Sequence, residues 1–158
     1  MGAIQIGLTD DQRAGSAGLL KAALADVYVL YTKTRKYHWN VEGTDFHDLH
    51  KFFESQYEEL DTAIDEIAER IRALGVYSTG SFKEFLEDAR IKEDSNGQIS
   101  AMQMIENLLN DQEAIIRDLR IDIKRASSEF DDDGNADFLT GLLKSHEKMA
   151  WMLRSMLR

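Results

Sequence analysis

The 158-residue chain carries 19 basic and 29 acidic side chains, for a formal charge of −10, with 43% apolar residues, 30% charged residues, no cysteine and no proline. That balance excludes a disordered chain, disulfides, thiolate metal sites and thiol catalysis, and its sign argues against nucleic acid as a default partner. No apolar run reaches the ~18 residues a membrane span needs, and the start MGAIQIGLTDDQR lacks the basic flank and apolar centre of a signal peptide, so the expected location is cytoplasmic, with no membrane partner.

The length predicts a single domain over 1–158, with 1–9 as a short N-terminal tail. Without proline nothing forces a helix to break, which favours long helices and an all-α fold. Thr9 to Gln12 reads as a capping box, and Leu20, Leu24, Val27 and Tyr31 follow at alternating four- and three-residue steps, predicting a first helix over about 10 to 38. Phe53, Tyr57, Leu60, Ile64, Ile67, Ile71 and Leu74 give the second helix a heptad-like stripe that stops at Gly75. Ser81 and Glu84 form another capping box ahead of one short amphipathic piece, FKEFLEDA, and the polar EDSNG run ends that excursion. The next long helix is read from Met102, Ile105, Leu109, Gln112, Ile116, Leu119 and Ile123. The DDDG cluster at 131–134 places negative charge at the start of the last helix, with Leu139, Leu142, His146, Met149, Leu153 and Met156 on its stripe. Four long helices with one apolar stripe each predict a four-helix bundle with a short extra helix in the long middle connection. The roughly 25 residues of that connection can run the length of the bundle, leaving the second and third long helices parallel.

Three of the four histidines fall inside YHWNVEGTDFHDLH, from Tyr37 to His50, beside Trp39 and Phe46, which favour burial. In the absence of cysteine these imidazoles are the only soft metal-binding groups. Glu-x-x-His pairs, which build the usual in-bundle di-iron site, are absent: Arg35, Thr44, His47 and Leu143 stand three before His38, His47, His50 and His146. On the second helix His50 and Glu54 share a face, as do Asp61, Asp65 and Glu69. Such a stripe reads either as a solvated face of i,i+4 charges or as metal ligands. His50 and Asp65 lie about 22 Å apart along a straight helix at ~1.5 Å per residue, too far to hold one ion within a chain. Two such helices packed antiparallel across a two-fold axis would bring the His50 end of one beside the Asp65 and Glu69 end of the other.

The runs KYHWNVEG, DFHDLHKFFE and LDTAIDEIAERIRALG, together with the closing HEKMAWMLR, resemble the Dps mini-ferritins, iron-oxidising proteins named for protecting DNA in starved cells. The resemblance implies a ferritin-like fold and a hollow homo-dodecamer. It implies oxidation of Fe(II), preferentially by hydrogen peroxide with dioxygen as the other oxidant, at sites shared across two-fold interfaces, and storage of Fe(III) oxide inside. It assigns His38 and His50 as the histidine ligands, Asp65 and Glu69 as carboxylates supplied by the partner subunit, and Glu54 as a further acidic ligand where aspartate is common in the family. It also places Asp133 and Asp137 near a three-fold pore with Asp131 and Asp132 at its mouth; helix capping is the competing role for these four. Iron is the metal implied, with zinc as an inhibitor or substitute.

The neighbouring residues keep two readings each. His38 alone reads as a cap or packing residue, and the joint spacing favours a ligand; His47 is second shell or surface. Trp39 is either interface packing or a ring that absorbs oxidising equivalents beside the iron. His146, on an apolar face, reads as a hydrogen-bonded core group ahead of a metal ligand. The rival functions are a DNA-compacting protein with secondary iron binding, and a purely structural oligomer with a zinc site or none. DNA binding is not expected, because the twelve residues before Arg13 hold no Lys or Arg, and the C-terminus offers only Arg154 and Arg158.

Overall fold

Five helices account for most of the computed structural model, which describes residues 4–157; Met1 to Ala3 of the expected tail, and Arg158, lie outside the described residues. In chain order they are α1 (Asp10–Asn40), α2 (Phe46–Ala73), α3 (Phe82–Asp88), α4 (Ala101–Ser128) and α5 (Asp133–Met156). Four are long and α3 is the short insertion, as the stripes predict.

Local chemistry sets the ends. Thr9 accepts from the Gln12 backbone N–H while Gln12 reaches back to Thr9, and Ser81 and Glu84 do the same at α3, so both capping boxes form. Ser100 opens α4 by accepting from the Gln103 N–H. Past the end of α2, Gly75 takes φ +82°, and its own N–H and that of Val76 bond back to the Arg72 and Ile71 carbonyls. An added Cβ there would fall within the Ile4 side chain, so a larger residue would be both strained and crowded.

Cross-helix contacts give the directions. His38 meets His50 and Arg13 bonds the Leu74 carbonyl, so α1 and α2 are antiparallel. Lys33 pairs with Asp111 and Tyr37 meets Asn107, while Arg90 bridges Asp26 and Asp122, so α1 and α4 are antiparallel too. It follows that α2 and α4 run parallel. The 74–100 connection travels the length of α1 to join them, as its length allows.

Polar contacts fasten that connection. Arg90 sits between Asp26 at 2.7 Å and Asp122 at 2.7 Å, and the Arg90 backbone N–H also bonds Asp26. Burial pushes the Asp26 carboxyl above its ordinary range despite the opposing pull of Arg90. Further along, Tyr37 donates to Asp94 at 2.7 Å and Lys36 donates to the Asp94 and Asn96 carbonyls.

The core is the shared stripe of the four long helices, including Leu20, Leu24, Phe53, Leu60, Ile67, Leu108, Ile115, Leu119, Leu139 and Leu153. The buried line of α4 is rotated from its sequence reading. Met104, Leu108, Ile115 and Asp122 are buried with Ile105, Gln112 and Leu119; Leu109, Ile116 and Ile123 are flanking, and Met102 is 50% exposed. The rotation follows from α4 packing on α1 as well as α5, and Asp122 enters the buried face because Arg90 neutralises it. Met156, the last stripe residue of α5, is also exposed.

Replacing Arg90 with Met would leave Asp26, fully buried, without its counter-ion. The expected loss is about 3 kcal/mol of stability, read as a lower denaturant midpoint; an unchanged midpoint would show that the clasp contributes nothing.

Candidate metal centre

The two ends of the histidine cluster meet where α1 gives way to α2. His38 lies in the last turn of α1 and His50 in the second turn of α2, with the 41–45 corner between them. Each ring bonds the other's backbone: His38 Nδ1 lies 2.8 Å from the His50 carbonyl, and His50 Nδ1 lies 2.8 Å from the His38 carbonyl. The His38 carbonyl is one of the last four of α1, which lack an intrahelical partner, so the His50 ring also serves as a cap. A carbonyl only accepts, so both Nδ1 atoms carry a proton, and in the neutral tautomer this selects, Nε2 is the nitrogen with the lone pair. The rings stack at 3.8 Å with an interplanar angle of 18°. Hydrogen bonds from Nδ1 to a backbone carbonyl are of the kind that fix metal-ligating histidines and leave Nε2 as the donor atom.

Aromatic rings hold the pair. Tyr57 presents its edge to His38 at 5.2 Å, and Phe46 stacks on His50 at 5.1 Å. His38 is 7% exposed, whereas Trp39 next to it is 64% exposed and Phe46 45%. The expected burial of Trp39 and Phe46 is therefore not met by the chain's own fold, because both face outward at the corner. Arg35 lies over Trp39, Tyr57 and Tyr31 at 5.1, 5.2 and 5.5 Å, and donates to the Tyr31 hydroxyl. Nothing in the sequence marked Arg35, because stacking on three rings from two helices is visible only after folding.

Glu54 stands one turn after His50, its Oε2 accepting from Lys51 Nζ at 2.7 Å. The Lys51 hydrogen bond holds its carboxyl below the usual carboxylate range, against the opposing effect of burial and with the charge of Lys51 adding to it. Asp65 and Glu69 are exposed farther along α2, without an ion-pair partner among the described residues. Among those residues no three His, Asp or Glu side chains converge as a metal site. The structure thus brings His38 and His50 together, sets Glu54 one turn beyond His50 on α2, and leaves Asp65 and Glu69 apart from them, as the length of α2 requires.

The other candidates separate cleanly. His47 is a surface residue beside Asp48. His146 is a core group: its Nδ1 lies 2.6 Å from Gln112 Oε1, whose Nε2 donates to Met149 Sδ, and burial depresses the imidazole to about 4. Gln56 is buried nearby in sequence terms on α2, with neither amide atom hydrogen-bonded in the described structure. Of the acidic cluster, Asp132 is taken up by the fold of its own chain. It caps α5 through the Asn135 N–H, accepts from Ser16 at 2.7 Å and is buried beneath Arg70. Capping therefore claims Asp132. Asp131 (φ +53°), Asp133 and Asp137 remain exposed, and Asp133 accepts from Ser127.

Comparison with known proteins places this geometry in a family. Residues 17–158 match the ferritin-like domain model. A low temperature-induced protein of Nostoc sp. is 52% identical over 152 residues, 96% of this chain and 85% of the relative. A Bacillus anthracis protein named DNA protection during starvation protein 2 is 40% identical over 139 residues, 88% of this chain and 94% of its own length. The crystal structure of a Vibrio cholerae O1 Dps protein, described as one of the ferritin-like diiron-carboxylate proteins, superposes with a TM-score of 0.91 at 33% identity, covering 100% of this chain and 98% of that one.

His146 generates a pH dependence. Its folded value of about 4 lies below the ordinary 6.5, so its neutral form favours the fold; that stabilisation is complete above pH 6.5 and is lost as pH falls toward 4. Across that window the His146 contribution amounts to about 3 kcal/mol. His146→Gln should flatten the stability-versus-pH curve between pH 6.5 and 4 relative to wild type in denaturant unfolding; parallel curves would refute the assignment.

Proposed function

The chain belongs to the Dps family of ferritin-like proteins, and from that membership we propose that it is a ferroxidase that detoxifies and stores iron. In this reading Fe(II) binds between subunits of a homo-dodecamer, is oxidised preferentially by hydrogen peroxide, and is laid down as Fe(III) oxide in the hollow interior. The observation that carries the reading is the reciprocal His38–His50 pair, whose Nδ1 atoms are both engaged by backbone carbonyls and whose Nε2 atoms are left as the available donors.

Iron is the substrate and supplies the redox chemistry; the chain supplies donors, charge and confinement. His38 and His50 hold Fe(II) through Nε2, with Glu54 beside them as an oxygen donor. The partner subunit's Asp65 and Glu69 complete a mixed nitrogen and oxygen set of the kind Fe(II) accepts while leaving room for an oxidant. Two Fe(II) give up one electron each, peroxide takes both, and its O–O bond breaks to water-level oxygen. Paired electron delivery releases less hydroxyl radical than single transfers do. Asp133 and Asp137, exposed at the start of α5, are the proposed lining of an entry pore.

A split site makes a specific demand. His50→Ala and Asp65→Ala should each abolish fast peroxide-driven Fe(II) oxidation in stopped flow, with dioxygen slower than peroxide in wild type. A dimer built from one chain of each variant retains one intact site in two. Randomly mixed assemblies should therefore recover about a quarter of the wild-type rate. Hybrids as inactive as their parents would rule out sharing across the interface.

Names among the relatives refer to DNA, yet electrostatics opposes that role here. A formal −10 per chain repels phosphate, and salt screens this repulsion where it would weaken an attraction. Linear duplex should therefore migrate unshifted with the protein in chelator at low ionic strength near neutral pH. A clear gel shift would make DNA compaction a principal function.

A further inference from the structure

Lys51 follows His50 directly and precedes Glu54 by one helical turn. Its side chain is 61% exposed, yet its ammonium is brought to Glu54 Oε2 at 2.7 Å, while the Glu54 side chain is only 29% exposed. Glu54 Oε1 accepts no hydrogen bond from any described residue. One oxygen of the carboxylate that stands one turn beyond His50 is therefore held by a cation of the chain itself.

We propose that Lys51 is a positioning residue that occupies Glu54 in the metal-free protein and competes with an incoming dication for its carboxylate. The proposal rests on the His38–His50–Glu54 reading of the site. A cation at Lys51 and a dication on the imidazoles place two positive charges at the same carboxylate, and their mutual repulsion opposes both being held at once. Lysine suits the role because its ammonium is a compact point charge on a flexible, largely solvated stem, so release into water costs little. The metal-free carboxylate stays paired and ionised, and the metal displaces a weak partner. The consequence is a site tuned below the affinity its donors alone would give, which favours passing the ion onward over retaining it.

The competition predicts an ordered series. Lys51→Gln removes both the competitor and a positive charge, and should tighten Zn(II) binding, measured by calorimetry on the full-length assembled protein, by about two- to fivefold. Lys51→Arg replaces a point charge with a fork that can engage both carboxylate oxygens, and should weaken binding. In a Glu54→Gln background Lys51→Gln should have much less effect. A merely structural Lys51 would give weakening in both single variants. Unchanged or weaker binding in Lys51→Gln, or tightening that persists undiminished without the Glu54 carboxylate, would overturn the competition. His50→Ala is the separate control: undiminished Zn(II) binding there would overturn the reading of the imidazole pair itself, whatever Lys51 does.

Discussion

The candidate centre depends on one reciprocal interaction, the exchange of hydrogen bonds between His38 and His50 across the α1–α2 corner. Each ring gives its Nδ1–H to the other's backbone, so ring orientation and the nitrogen left as donor are fixed together by the chain's own contacts. The neighbours fit that constraint. Tyr57 and Phe46 brace the rings, and the five-residue corner brings the end of α1 within reach of the second turn of α2. A different corner would leave the same residues without the same lone pairs.

Elsewhere in the bundle, charge is admitted to the interior only where geometry answers it. Asp26 and Asp122 are buried because Arg90 arrives from the crossover connection between them. Asp132 is buried because a helix start, Ser16 and Arg70 share its oxygens. These clusters bind the irregular 74–100 segment and the α4–α5 turn to α1, where apolar packing alone gives no register. His146 follows the same rule in neutral form, held by Gln112 among apolar side chains.

Much of this was legible from residue patterns. The four stripes, both capping boxes, the glycine stop and the parallel crossover follow from periodicity and local chemistry, which operate within a few residues. The histidine cluster and its spacing to the α2 carboxylates were legible too, and so was the impossibility of joining His50 to Asp65 within one chain. The partnerships were not. Which side of α4 faces the core turns on Asp122 meeting Arg90, 32 residues away in sequence, and a charged residue is read as surface until its counter-ion is known. The DDDG run could be placed at a helix start, but the selection of Asp132 as the cap, with Asp131 and Asp133 left outside, came from Ser16 and Arg70. The outward placement of Trp39 and Phe46 reflects the same limit: apolarity predicts that a ring will be covered, and not by which chain.

The range of these contacts along the chain also bears on the order in which structure can form. The His38–His50 bonds close only 12 residues, whereas the Asp26–Arg90 clasp spans 64 and the Ser16–Asp132 bond spans 116. Loop-closure entropy favours the short-range contact before the long ones. The α1–α2 hairpin carries both imidazoles, Glu54, Asp65 and Glu69, so every metal-binding residue proposed here is encoded in the first 69 positions. The second half of the chain supplies the other wall of the bundle. A nascent chain thus carries the full proposed donor inventory well before synthesis ends, and in the proposed shared site the one contribution still to come is that of a neighbouring subunit.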